Sequence, residues 1–115
     1  MTSKMTQKEK QEFENDIALG LWYTFLENTD YHDTHWKRLY YCSAEIGNNG
    51  RYLILRSYNT VVAFYDTKND LLVDMLRYVY GYTATSAKHI AKFRNYIDLE
   101  YRLYKTAPLV EYRFK

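Results

Sequence analysis

The sequence predicts an α+β fold in a single domain, residues 1–115. Apolar residues recur every three or four positions near both ends of the chain, and the middle holds short β-rich segments between polar turns. We expect an N-terminal helix, an antiparallel meander of three to four strands, a long C-terminal helix and a short tail. Both helices are expected on one face of the sheet, which would leave the other face partly apolar, rich in Tyr and suited to contacts.

The first helix is predicted over Thr6–Glu27, after an N-terminal segment, residues 1–5, that we expect to be disordered. Thr6 and Glu9 have the spacing of a capping box. Gly20 weakens the helix, and a close contact with another backbone would explain a glycine there. One wide apolar stripe contains Phe13, Ile17, Ala18, Leu21, Trp22, Phe25 and Leu26.

Three strands are predicted next. The first, Trp36–Ile46, alternates between a more buried and a less buried face. Asn49 and Gly50 form a favourable hairpin pair, so the second strand, Arg51–Ser57, is expected to pair antiparallel with the first. A turn directly after it leads to Thr60–Asp66, a run of β-branched and aromatic residues.

The segment Leu71–Tyr80 fits a helix and also one face of a strand, so the local pattern leaves its structure open. Aromatic residues near its end favour a fourth strand, which is our prediction. Thr85 or Ser86 is expected to cap the second long helix, which ends before Pro108. The tail that follows alternates apolar and charged residues and forms either a last strand or an arm that grips a partner. The apolar face of the second long helix contains Ile90, Phe93, Ile97, Tyr101 and Tyr104.

The composition indicates the cellular setting. With Cys42 as its single cysteine the chain has no internal disulfide, which is typical of the reducing cytoplasm. The first residues lack the apolar core of a signal peptide, and no segment approaches the roughly 18 apolar residues of a membrane span. We therefore expect a cytoplasmic protein without a membrane partner. A net charge of +2 neither demands nor excludes nucleic acid.

Two groups of residues are candidates for chemistry. His32 and His35 lie beside Asp30 and Asp33, but a structural zinc site needs four ligands, so we interpret this stretch as a solvated loop. His89 is the best catalytic candidate, yet a structural histidine bonded to a strand carbonyl or a turn hydroxyl is favoured. The chain has neither a Gly-rich phosphate loop nor a dinucleotide fingerprint. We therefore predict no catalytic residue, no metal and no cofactor, and a protein that is not an enzyme.

Basic and Tyr side chains are the candidates for a partner-binding surface. Lysine and arginine contact phosphates, and Tyr and Arg often anchor protein interfaces. The basic residues alternate with acids, however, which is also typical of an ordinary charged surface. The predicted partner-binding residues are Arg56, Tyr80, Tyr82, Lys88, Lys92 and Arg94.

Two motifs that together cover about a third of the chain carry a resemblance to a known family. The first, Ser-Tyr-x-Thr-x-Val-Ala, lies within Leu55–Ala63. The second, Tyr-x-x-Thr-Ser-x-x-His-x-x-x-Phe, begins at Tyr82 and ends at Phe93. They resemble a small domain of unknown function from phages and mobile elements of Gram-positive bacteria. The resemblance implies a phage-type origin and a host-cell cytoplasm, but no assigned chemistry.

The leading hypothesis is a small non-catalytic phage-type protein that binds another macromolecule, foremost a host protein or protein complex. Many phage proteins of this size block a host machine, so an inhibitor of a host defence system, such as an anti-CRISPR protein, is its specific form. The alternative is a nucleic-acid-binding protein that uses the basic C-terminal helix and the Tyr-rich sheet. A homodimer is compatible with either hypothesis.

Overall fold

A computed structural model of the chain describes residues 4–40, 42–81 and 83–115. Two long helices, α1 (Gln7–Asn28) and α3 (Ala84–Tyr101), lie on a sheet, and a short helix, α2 (Leu76–Tyr80), precedes α3. A 3-10 turn, Tyr31–Asp33, follows α1. The strands are β1 (His35–Arg38), β2 (Ala44–Asn48), β3 (Tyr52–Ser57), β4 (Thr60–Asp66), β5 (Leu71–Asp74) and β6 (Val110–Arg113).

The six strands form one mixed sheet in the order β1-β2-β3-β4-β5-β6. The first five pair antiparallel as a meander, and β6 returns after α3 to pair parallel with β5. The predicted α+β class and order of elements are confirmed, but the meander has five strands rather than three or four. The tail was predicted to form either a last strand or an arm that grips a partner, and it forms the strand β6.

The extra strand arises because the predicted strand Trp36–Ile46 divides in two. Tyr40 has a positive φ of 53°, which a strand does not accommodate. The backbone N–H of Leu39 donates to the Ala44 carbonyl at 2.9 Å, so the chain reverses here and β1 pairs with β2. The alternating pattern on both sides of the reversal hides it from sequence analysis.

The predicted hairpins are confirmed. Asn49 and Gly50 lie in the turn between β2 and β3, where Gly50 has a φ of +97° and the Asn49 side chain accepts from the Tyr52 N–H at 2.8 Å. Tyr58 and Asn59, with φ values of 50° and 68°, form the two-residue turn between β3 and β4. Positive φ at both central residues matches the right-handed twist of the strands.

The segment Leu71–Tyr80 is part strand and part helix, so the prediction of a fourth strand over its whole length is wrong. The strand ends at Asp74, whose Oδ1 accepts from the backbone N–H of Leu76 at 3.0 Å. This side-chain bond gives the Leu76 N–H the partner that the ladder no longer supplies. Tyr78 and Tyr80, which favoured a strand, therefore lie in α2.

The two long helices lie on opposite faces of the sheet, so the prediction of a shared face is wrong. Trp22 and Phe25 of α1 pack in one core cluster with Ile54, while Phe93 of α3 packs in a second cluster with Leu55. Successive strand residues point to opposite faces, so each central strand serves both clusters. Helices therefore cover both faces, and the part of the chain that the structure describes has no open Tyr-rich face of the expected kind.

One of the two predicted helix caps is confirmed and the other is wrong. Thr6 caps α1 as predicted, with its Oγ1 accepting from the Glu9 N–H at 3.1 Å. The α3 cap is Thr83, not Thr85 or Ser86, and it accepts from the Ser86 N–H at 3.1 Å. Residues 4–6 precede α1 outside any helix or strand, and the prediction of disorder for residues 1–3 falls outside the described residues.

Candidate interaction surface

Four large side chains at the end of α3 form what we call the exposed apolar patch: Leu99, Tyr101, Leu103 and Tyr104. Tyr104 is 95% exposed, Leu103 64%, Leu99 53% and Tyr101 38%. All four line one shallow surface concavity together with Glu100 and Lys105, so they form a continuous surface. A cluster of this kind is unusual on a monomer and is typical of an interaction site.

The end of α3 explains why these side chains are exposed. Ile90, Phe93 and Ile97 form the buried face of the helix. Leu99 lies two residues after Ile97, off this face, and the helix ends at Tyr101. Beyond that point the helical spacing no longer applies, so the prediction that Tyr104 belongs to the buried face is wrong. Leu103 also lies beyond the end of the helix, so helical periodicity in the sequence does not assign it to this surface.

Arg102 fixes the loop that carries Leu103 and Tyr104, the part of the patch that follows α3. Its Nε donates to Asp70 Oδ1 at 2.9 Å and its Nη2 donates to the Ala107 carbonyl at 2.6 Å, while Nη1 lies 3.5 Å from Asp98 Oδ1. Asp70 also accepts from the Tyr65 hydroxyl. Burial opposes ionisation of Asp70, but the hydrogen bonds from Tyr65 and Arg102 outweigh it and lower its pKa. The buried arginine thus ties the loop to the turn between β4 and β5.

Two of the predicted partner-binding residues are engaged within the fold. The Arg56 guanidinium stacks on the Trp36 ring at 3.8 Å from the ring centroid, and its Nη2 donates to Glu45 Oε1 at 3.0 Å. Arg94 donates from Nε to Glu111 Oε2 at 3.0 Å and from Nη2 to Oε1, an arrangement that links α3 to β6. Neither guanidinium therefore contributes a free positive charge to the surface.

The other predicted residues lie elsewhere. Lys88 and Lys92 are exposed one turn apart on α3, and neither forms a salt bridge among residues 4–40, 42–81 and 83–115. The Tyr80 hydroxyl donates to the Ser57 carbonyl at 3.0 Å, which fixes α2 against the end of β3. Tyr82 falls outside the described residues. Of the five candidates that the structure describes, Arg56, Arg94 and Tyr80 are thus held by contacts within the fold, and Lys88 and Lys92 are exposed.

His89 belongs to a buried polar network at the end of β3. Its Nδ1 lies 2.7 Å from Ser57 Oγ, which lies 3.0 Å from Ser86 Oγ, and all three side chains are buried. The exposed Tyr58 ring lies over the imidazole at 5.5 Å between centroids. Burial, and secondly the charge of Lys92, lower the His89 pKa. A structural histidine with a hydroxyl partner is one of the two arrangements predicted from the sequence. The network joins α3 to the sheet.

The Asp30 side chain organises the loop that contains His32 and His35. Asp30 Oδ1 accepts from the His32 backbone N–H at 2.8 Å and caps the 3-10 turn. Within the described part of the chain, no group of three or more His, Cys, Asp or Glu side chains is placed to hold a metal ion. Cys42 is half-buried and its Sγ lies 2.9 Å from the Leu39 carbonyl, within the reversal between β1 and β2.

Comparisons of the chain with protein-family models, with curated proteins and with solved structures find no match. Among the described residues, none of the helices combines the length and the apolar character that crossing a bilayer requires.

Proposed function

We propose that this protein acts by binding another protein, without catalysing a reaction, and that the exposed apolar patch is its binding surface. The observation that carries the proposal is the exposure, next to one another, of Leu99 at the end of α3 and of Leu103 and Tyr104 on the anchored loop that follows it. Burying such side chains releases roughly 25 cal/mol per Å² of apolar area, which is the main source of protein–protein affinity. Because Arg102 already holds the loop in place, binding loses little conformational entropy.

A protein partner suits this surface better than nucleic acid. Tyr and Leu side chains with a single flanking lysine, Lys105, match the apolar centre and polar rim of a protein interface. Arg56 and Arg94, which would have contacted phosphates, are paired with Glu45 and Glu111. These pairs reduce the electrostatic attraction on which non-specific binding of nucleic acid depends.

The identity of the partner rests on the family resemblance alone. A phage-type origin narrows the partner to a protein or protein complex in the cytoplasm of a Gram-positive host. Inhibition of a host defence system, as by an anti-CRISPR protein, is the specific form of this proposal. A nuclease-protection assay in cells that express the chain tests whether it inhibits a host defence system. Restored phage infection would support inhibition, and unchanged immunity would contradict it.

Substitutions in the patch test the binding proposal. We expect the Leu103→Ser/Tyr104→Ala double variant to retain at least tenfold less of the partner from a host lysate than the wild type does. Phe13→Ala is the matched control, because Phe13 is 54% exposed on α1, on the opposite side of the sheet, and its loss should leave retention unchanged. Retention is measured by quantitative mass spectrometry, and circular dichroism verifies that both variants fold.

Two results would contradict the proposal. One is equal retention by the wild type and the patch variant. The other is a chain whose only partner is itself, seen as a dimer by light scattering that dissociates in the patch variant. The second result would identify the patch as a homodimer interface instead.

Lys88 and Lys92 favour the second candidate, nucleic-acid binding, because both ammonium groups are exposed on one side of α3. If they contact phosphates, Lys88→Gln/Lys92→Gln should weaken oligonucleotide binding and reduce its salt dependence. A mobility-shift titration at two salt concentrations measures both. Absence of a mobility shift at low salt would contradict nucleic-acid binding.

A further inference from the structure

Strand β1 lies at one end of the sheet and has an open edge. In the described chain β2 is the only strand that pairs with it. The Leu39 N–H donates to the Ala44 carbonyl at 2.9 Å, so these two residues form a hydrogen-bonded pair. Bonded and non-bonded pairs alternate along an antiparallel ladder, so Lys37 also bonds to β2, whereas the backbone groups of Trp36 and Arg38 point outward. Nothing else among the described residues bonds to these outward N–H and C=O groups.

The side chains along this β1 edge are basic. Lys37 and Arg38 are both exposed. Neither of them forms a salt bridge with a described residue. The Lys37 ammonium lies 4.9 Å from the centroid of the Tyr96 ring on α3, and the exposed Lys92 precedes Tyr96 by one helical turn. The edge and the adjoining side of α3 therefore present positive charge together.

The acids near the β1 edge do not cancel this charge. Glu45, which lies opposite Arg38 in the ladder, is bonded to Arg56 at 3.0 Å. Glu100 on α3 attracts Lys37 through space, but the two form no salt bridge. Positive charge is thus in excess, because the two acids Glu45 and Glu100 lie among four cations, Lys37, Arg38, Arg56 and Lys92.

A groove of about 220 Å³ lies beside the edge, between β1 and α3. Its inner part is apolar, because Ile46 and Leu53 are almost completely buried and the Tyr96 ring lines the side. In a strand added to β1, every second side chain would point toward α3. This β1 groove can therefore receive an apolar side chain of such a strand.

The charge of the edge decides which kind of strand fits it. A second copy of β1 would bring Lys37 and Arg38 beside the same two cations, and like charges on neighbouring strands destabilise their pairing. At the other end of the sheet the charges of β6 are already paired, since Arg113 lies 3.3 Å from Glu111 and 3.4 Å from Asp74. The β1 edge therefore favours a strand that carries carboxylates.

We propose that the β1 edge binds an extended acidic segment of another protein, which joins the sheet as an additional strand. The backbone of this segment bonds to the outward groups of Trp36 and Arg38, and its carboxylates lie beside Lys37 and Arg38. One of its apolar side chains enters the β1 groove against Tyr96. This contact does not depend on the exposed apolar patch, with which the groove shares no lining residue.

A peptide titration followed by amide NMR tests the proposal. The probe is acetyl-Glu-Glu-Val-Leu-Val-Glu-Glu-amide, and the control is the same peptide with lysine in place of glutamate. We expect the acidic peptide to shift the Trp36 and Arg38 amide resonances saturably and to slow the exchange of these amides with solvent. The basic peptide should bind about tenfold more weakly or less.

Two substitutions at one position separate strand pairing from charge. Arg38→Pro removes the outward N–H and the cation, and it leaves the β1–β2 ladder intact because Arg38 does not donate to β2. Arg38→Gln removes the cation alone. We expect Arg38→Pro to weaken peptide binding about tenfold or more and Arg38→Gln only about threefold. Circular dichroism verifies that both variants fold, and if Arg38→Pro does not, the wild-type amide shifts and exchange decide alone.

The Leu103→Ser/Tyr104→Ala variant should bind the peptide as the wild type does, so failure at the β1 edge is distinguishable from failure of the exposed apolar patch. Absence of saturable shifts at Trp36 and Arg38 overturns the proposal. Equal weakening by the two Arg38 variants also overturns it, because charge alone would then explain the binding. Tighter binding of oligothymidylate than of the acidic peptide would identify the edge as a phosphate-binding surface instead.

Discussion

The His89 imidazole contributes to folding stability in a pH-dependent way. Burial and the Lys92 charge lower its pKa in the folded state, whereas in the unfolded chain it titrates near pH 6.5. The neutral ring, bonded to Ser57, is therefore the form that the fold favours. Its contribution is complete above about pH 6.5 and is lost as the pH falls through the lower pKa of the folded state.

We therefore expect the wild type to lose more stability than His89→Gln between about pH 7.5 and about pH 5. Urea denaturation at both pH values measures this difference. His32 and His35 are present in both proteins, so neither accounts for a difference between them. Asp66, Asp70 and Glu111, whose pKa values are lowered, act below this range. Parallel pH profiles for the two proteins would contradict the role of His89.

Two glycines in the described chain are expected to respond to alanine in opposite ways. A Cβ at Gly47 would lie 2.5 Å from Thr34 Cγ2 and 2.9 Å from Trp36 Cζ3, because the side chains of Thr34 and Trp36 occupy the space beside this position of β2. Gly47→Ala should cost about 1–3 kcal/mol of unfolding free energy. A Cβ at Gly20 has no heavy atom within 4 Å, so the close backbone contact expected there is absent.

Gly20→Ala should accordingly stabilise the protein by about 0.5–1 kcal/mol, since alanine is the better residue in a helix interior. Urea denaturation of the two variants side by side measures both signs. A destabilised Gly20→Ala would mean that α1 is packed differently from what we describe, and a neutral Gly47→Ala would mean that the side chains of Thr34 and Trp36 do not occupy the space beside Gly47.

The position of the loop after α3 depends on the Arg102 side chain. Arg102→Ala leaves the Asp70 carboxylate and the Ala107 carbonyl without their partner, and should cost about 3 kcal/mol. Amide hydrogens of residues 103–107 should also exchange faster, because the loop loses its link to the β4–β5 turn.

Lys105→Ala is the control for this variant, since it removes an exposed cation from the same loop and should change stability by less than about 0.5 kcal/mol. The stability of both variants is measured by denaturation, and the exchange of their loop amides by hydrogen exchange. If Arg102→Ala matches the control in both, the guanidinium does not anchor the loop.

The individual elements could be predicted where local chemistry decides them. Asn49-Gly50, the Thr6 cap and the spacing of Ile90, Phe93 and Ile97 were sufficient for a hairpin and two helices. Local pattern failed where tertiary contacts decide. The reversal at Tyr40 has no Gly, and the change from strand to helix after Asp74 depends on a side-chain bond that periodicity does not reveal.

The arrangement of the whole molecule was harder to predict, because it depends on which face each element covers. The β3 segment is apolar on both faces, with Leu53 and Leu55 toward α3 and Tyr52 and Ile54 toward α1. Such a run indicates a sheet covered on both sides, and that signal was available in the sequence.

The sequence placed three of the candidate binding residues, Lys88, Lys92 and Arg94, on α3, whereas the exposed apolar patch that we propose lies at the end of this helix. Charge pointed to Arg56 and Arg94, whose ion pairs with Glu45 and Glu111 form only in the folded chain. Sequence alone cannot reveal such pairing between distant segments. The exposed apolar patch was hidden for a related reason, because the end of α3 at Tyr101 removes Tyr104 from the face that periodicity assigned to it.

Site-specific photo-crosslinking tests most directly whether the exposed apolar patch is the binding surface. The benzophenone amino acid p-benzoyl-phenylalanine replaces either Tyr104, in the patch, or Phe13, on the opposite side of the sheet. After irradiation with the purified partner, we expect a covalent adduct with the protein labelled at position 104 and none with the protein labelled at position 13. Adducts of equal yield at both positions, or an adduct at position 13 alone, would contradict the account.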